Sequence, residues 1–107
     1  MITYRSATNP VTMLPGLIRR TLATSQKMMI CEFTFEAGVR IPIHSHPHEQ
    51  VGYVVVGCVE MTVADHTATL TAGDSYYAPS DVPHGALTLE PTIIIDTFTP
   101  PREDYIK

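Results

Sequence analysis

Between Gly16 and Thr99 the chain is cut into short runs by glycine, proline and aspartate, and nowhere do apolar residues recur at helical spacing. In Lys27–Phe35 (KMMICEFTF), Met29, Cys31, Phe33 and Phe35 share one face of an extended chain, and Glu32 and Thr34 share the other. Val59–Ala64 alternates in the same way, with Val59, Met61 and Val63 inward. Thr67–Thr71 follows after an expected hairpin turn at Asp65-His66. Gly16–Thr24, Val51–Val56, Tyr76–Ala78, His84–Leu89 and Thr92–Thr99 read as further strands. The β-branched run Val51–Val56 is expected to be buried. Many short strands at close intervals predict an antiparallel sandwich or barrel.

The 107 residues suffice for one core and one domain. The expected division is residues 1–26 as an irregular segment with an edge strand, 27–99 as the barrel and 100–107 as a tail. Pro10, Pro15 and Gly16 break residues 1–16, and Pro100-Pro101 prevents the last strand from continuing, so the tail should lie across a barrel end. A net charge of −4 with no basic stripe argues against nucleic acid. No apolar run reaches signal-peptide or membrane-spanning length, so the expectation is a cytoplasmic protein without a membrane partner. Its two cysteines should then be reduced thiols. Cys31, amid Met29, Phe33 and Phe35, reads as a small core residue, whereas Cys58 follows a turn glycine.

The stretch Gly38–Gly57 (GVRIPIHSHPHEQVGYVVVG) carries the chemistry. His44 and His46 are two apart, so on an extended strand both imidazoles project from one face toward a single metal ion. Pro42 and Pro47 bracket them and stiffen the segment. Gln50 follows four residues later, and Gly73–His84 (GDSYYAPSDVPH) brings in His84 after a turn. Three histidines and an amide oxygen form a mixed N/O shell suited to Ni, Zn, Fe, Mn or Co. Gln50 has an alternative role, hydrogen bonding near the site without touching the metal. If it does ligate, the shell is neutral and the ion keeps its +2 charge, which favours Lewis-acid chemistry over a higher oxidation state. His48 reads as a loop or outer-shell residue, and His66 as solvated.

Asp96 falls within Ile93-Ile94-Ile95-Asp96-Thr97-Phe98, on the same face as Ile94 and Phe98. A carboxylate buried there is costly unless it lies near a cation, which suggests a general acid or base beside the metal. The alternatives are an exposed face or a structural pairing with an arginine. Arg102, behind a rigid Pro-Pro, is either a bidentate clamp for a substrate carboxylate or a surface arginine.

The two histidine segments resemble the paired motifs of the cupin superfamily. The first motif is a glycine, His-x-His, a glutamate and a glycine; the second is a glycine, a proline, a glycine and a histidine. Gly38, His44, His46 and Gly57 fit the first, and Gly73, Pro79 and His84 the second. Gln50 stands where the glutamate is usual, and Asp81 where the second glycine is usual. The resemblance implies an all-β fold, the cupin double-stranded β-helix or jelly-roll barrel, with the metal in its mouth.

The strings HSHPHEQ, GDSYYAPSDVPHGA and DTFTPPREDY are similar more narrowly to the KdgF-type proteins of pectin and alginate breakdown, which ketonise 4,5-unsaturated monouronates. That likeness implies a metal shell of His44, His46, His84 and Gln50, and pocket roles for Asp96, Phe98 and Arg102. It also implies a small carboxylated sugar as substrate, no redox cofactor, and a homodimer. Other readings on the same scaffold are a dioxygenase, a polyketide cyclase, or a ligand-binding cupin without chemistry.

Overall fold

The computed structural model describes residues 1–106. A short 3-10 turn (Arg5–Ala7) leads into ten strands: β1 (Val11–Leu14), β2 (Leu17–Thr24), β3 (Met29–Phe35), β4 (Arg40–His44), β5 (Glu49–Val56), β6 (Cys58–Val63), β7 (His66–Thr71), β8 (Ser75–Ala78), β9 (His84–Thr88) and β10 (Thr92–Thr99). They form a six-stranded sheet in the order β1-β2-β3-β10-β5-β8 and a four-stranded sheet in the order β4-β9-β6-β7. All pairings are antiparallel. Among the described residues no helix is long and apolar enough to cross a membrane.

Period-two alternation decides what is inside. Met29, Cys31, Phe33 and Phe35 are all buried, as are Val59, Met61, Ile94 and Phe98. Burial pushes the Cys31 thiol up to about 11, which makes it an inert core residue rather than a nucleophile. Cys31 and Cys58 are both free.

Four local features differ from the sequence expectations. Residues 11–14, expected to be irregular, form β1 and pair with β2 through a turn at Pro15-Gly16, where Gly16 takes a φ of +82°. The β6–β7 hairpin turns on Ala64-Asp65, one residue earlier than expected, with Ala64 at a φ of +56°. β5 is not buried throughout: Gln50, Gly52 and Val54 point inward, while Val51 and Tyr53 are half exposed on the outer face. One turn of helix, α1 (Glu103–Ile106), ends the described chain. It buries Tyr105 in edge contact with Phe33 and Phe98. Lys107, the last residue of the expected tail, lies outside the described residues.

Candidate metal centre

The register of the smaller sheet sets the site. β4 is an edge strand, so Pro42 costs it no ladder hydrogen bond on its open side, and an irregularity between Ile41 and His44 re-aims its end. His44 thereby stands directly opposite His84 of β9, with ring centroids 4.5 Å apart. The expectation of His44 and His46 on one continuous strand is not met. β4 ends at His44, and His46 lies in the connection to β5. It converges because Asp81 N–H donates to its carbonyl at 2.8 Å. Asp81 has a φ of +62°, the left-handed conformation that glycine commonly supplies and aspartate tolerates. The departure from the cupin motif at Asp81 thus keeps the backbone shape.

Each of the three imidazoles is held by a backbone carbonyl. Nδ1 of His44 lies 2.9 Å from Pro42 O, Nδ1 of His84 lies 2.9 Å from Val82 O, and Nδ1 of His46 lies 3.0 Å from His48 O. A carbonyl only accepts, so each Nδ1 carries the proton and donates, and each Nε2 is left with its lone pair. This is how proteins orient metal-binding histidines. The candidate ligand atoms of His44, His46 and His84 lie within 4.8 Å of one another, a group that could hold a metal ion. His84 Nε2 is buried with no hydrogen-bond partner. A buried lone pair without a donor is unfavourable, and a cation would satisfy it. Gln50 Oε1 approaches His46 Nε2 at 3.1 Å, so an amide oxygen joins the same cluster. The donor set fits a borderline divalent ion.

Burial, with the positive charges of Arg102 and His84 adding to it, pushes His46 down to about 4. Burial likewise lowers His84. Both are therefore held in the neutral, ligating form at neutral pH. His48, expected in a loop or outer shell, is buried in the β4–β5 connection, and its carbonyl orients His46.

A cavity of about 270 Å³ opens beside the cluster. Its polar side is formed by His44, Gln50, Tyr76, His84, Asp96 and Arg102. The rest of its lining is largely apolar, with Met13, Leu17, Phe33, Ile41, Met61 and Ile94. Asp96 is 5 % exposed and Phe98 1 %, both on the inner face of β10 beside Ile94. Burial pushes the Asp96 carboxyl up to about 7, against the opposing pull of Tyr76, Gln50 and Arg102. The Arg102 guanidinium lies 4.2 Å from the Tyr105 ring centroid and 5.5 Å from that of Phe98. It pairs with Asp104 at 3.2 Å. All seven residues singled out from the sequence therefore meet in one region.

The sequence reading missed Tyr76. Its hydroxyl donates to Asp96 Oδ1 at 2.5 Å and accepts from Gln50 Nε2 at 2.6 Å. The available signal was Gly52, a bare position inside a β-branched run, which marks close approach by a neighbouring side chain. Met13 and Tyr105, also at the cavity, sit in segments whose order the pattern did not reveal.

Residues 31–98 match the family model described as "Cupin domain". The chain is 33 % identical over 94 residues to the pectin degradation protein KdgF of Dickeya dadantii (strain 3937), covering 85 % of this chain and 84 % of that protein. It is 45 % identical over 73 residues to the H2HPP isomerase of Bacillus subtilis, over 58 % of this chain but only 30 % of that longer protein. The solved structure of KdgF from Halomonas sp. superposes with a TM-score of 0.92 at 32 % identity, covering 97 % of this chain and 96 % of that one. The paired histidine motifs, the two-sheet barrel and these likenesses agree, and the chain belongs to the cupin family.

Proposed function

We propose that this protein is a metal-dependent, non-redox isomerase that ketonises 4,5-unsaturated monouronates. The observation that carries the reading is convergence: Asp96, Phe98 and Arg102, from the last strand and the tail, line the same cavity as His44, His84 and Gln50. The likeness to a pectin degradation protein supports a sugar acid as substrate, and the net charge of −4 favours a small molecule over nucleic acid.

An unsaturated monouronate carries a carboxylate beside an enol ether. Opening of its hemiacetal ring leaves an enol at C5, and protonation at C4 with loss of the enol proton gives the ketone. Arg102 pairs with the carboxylate through its planar fork and fixes the orientation of the double bond. Phe98 and the aliphatic wall exclude water. Asp96, raised to about 7, is poised to hold or release a proton near neutral pH. It delivers a proton to C4 and recovers one from the enol hydroxyl, so protons balance over the cycle. His44, His46, His84 and Gln50 would hold a divalent transition metal, whose Lewis acidity stabilises the negative charge that develops on the substrate. Asp96→Asn should abolish turnover while metal content stays that of the native protein. Full turnover by that variant would refute the proton-transfer role.

The apolar part of the cavity lining favours a second reading. Sugar hydroxyls buried against Met13, Phe33 and Met61 would find no partners there. An isomerase substrate with a carboxylate at one end and an apolar body at the other would fit that lining, and the likeness to an H2HPP isomerase supports isomerase chemistry. Offering the protein a small carboxylate with an apolar body beside an unsaturated uronate separates the two readings by which substrate turns over.

A further inference from the structure

Gly52 lies directly opposite Tyr76 on β8 and opposite Asp96 on β10. Three strands thus carry a row with a gap in its middle. A Cβ at Gly52 would overlap both the Tyr76 ring and Asp96 Oδ1. The bare position lets Tyr76 reach across β5 and donate its hydroxyl proton to Asp96 Oδ1 at 2.5 Å. A phenol has one proton. With that proton committed to the carboxylate, the oxygen can only accept from its other neighbour, Gln50, 2.6 Å away. Gln50 must therefore turn its NH2 group toward Tyr76 and its Oε1 toward His46 Nε2, at 3.1 Å.

His46 Nε2 is itself an acceptor, because Nδ1 donates to His48 O. Two lone pairs consequently face each other at 3.1 Å, an unfavourable arrangement on its own. A free amide would relieve it by flipping and donating N–H to the histidine. We propose that Tyr76 is a positioning residue that blocks this flip, keeping the Gln50 amide oxygen turned to the histidine cluster and one Asp96 oxygen tied into the wall. The metal shell is then assembled before the ion arrives. The inference rests on the reading of Gln50 as a metal ligand.

The test is a double-mutant cycle on the full chain, reading Zn2+ and Co2+ affinity by calorimetry and the visible spectrum of the Co2+ form. Far-UV circular dichroism checks that each variant is folded. Tyr76→Phe removes one oxygen and should weaken metal binding by about 10- to 100-fold, the range for loss of an outer-shell partner, with a changed Co2+ spectrum. Gln50→Ala should weaken it at least as much. Adding Tyr76→Phe to Gln50→Ala should change nothing further, because the phenol acts through the amide. If Gln50→Ala weakens binding and Tyr76→Phe does not, the positioning role is wrong although Gln50 ligates. An equal effect of Tyr76→Phe with and without Gln50 overturns it as well, since the phenol would then act by another route. If Gln50→Ala leaves affinity unchanged, Gln50 is outside the shell and the inference falls with that reading.

Discussion

His44 and His84 face each other in register across β4 and β9, and each turns Nδ1 to the carbonyl two residues before it, Pro42 O and Val82 O. The backbone of two neighbouring strands thus orients two imidazoles in the same way, with no carboxylate needed to select the tautomer. His46 is held by a carbonyl too, that of His48. His84→Ala should therefore reduce Zn2+ affinity beyond the roughly 10- to 100-fold expected for an outer-shell loss. His48→Ala keeps its carbonyl and should stay within a few-fold of the native value. Calorimetric titration of both variants checks the contrast.

Proton release on metal binding provides a second check. His46 is lowered to about 4, so near pH 6 it is neutral before the metal arrives, and burial lowers His84 as well. An ordinary imidazole would be largely protonated there and would give up its proton. Calorimetry near pH 6 in buffers of different ionisation enthalpy should find fewer protons released than three ordinary imidazoles would give up. Release approaching that of three ordinary imidazoles would contradict the assignment.

The buried Asp96 makes a prediction about stability of the metal-free protein. Its folded pKa, about 7, lies above its unfolded value of 3.8. Between those values the folded state binds more protons than the unfolded one. Stability from this group is full below about pH 4 and is lost as pH rises through 7. Asp96→Asn removes the ionisable group while keeping an oxygen to accept from Tyr76. Urea unfolding should find the variant more stable than the native protein at pH 8, by an amount on the order of a few kcal/mol, with little difference near pH 4. A variant less stable at pH 8 would contradict the account.

Arg102 is paired with Asp104, whose side chain is 60 % exposed. On the proposed reading, a substrate carboxylate competes with that partner for the guanidinium. Asp104→Asn should lower KM by up to about fivefold, since an exposed pair is worth at most about 1 kcal/mol, and should leave thermal stability unchanged. An unchanged or raised KM would argue that Arg102 does not receive the carboxylate.

Gly52→Ala tests the tight row across β8, β5 and β10. The added methyl must displace the Tyr76 ring or Asp96, and such overpacking costs about 1–3 kcal/mol. Thermal unfolding measures the loss, and a neutral effect would mean that the row can spread.

The strands and their inward faces were legible because period two is strong wherever one face meets a core. Met29, Cys31, Phe33 and Phe35 show it, and Thr92–Thr99 was read to its exact ends. The grouping of His44, His46 and His84 was legible from spacing and from the motif likeness. The turn at Ala64-Asp65 was misplaced because alanine adopts positive φ only under tertiary constraint. β1 and α1 were missed because each depends on a partner outside its own run. β1 needs its pairing with β2, and α1 needs Tyr105 seated on Phe33 and Phe98 and its carbonyl accepting from Thr21 Oγ1 at 2.6 Å. Tyr76 was missed for a similar reason, with only the bare Gly52 to signal it. Its role comes from cross-strand register, which no single run of sequence encodes.

The central claim is tested most directly by following the ultraviolet absorbance of the conjugated double bond in unsaturated galacturonate and its alginate counterpart. Metal-loaded and chelator-stripped protein would be run side by side against the spontaneous background. The account predicts loss of absorbance well above background with the loaded protein and at background after stripping. Background decay with fully metallated protein on both substrates would contradict uronate ketonisation.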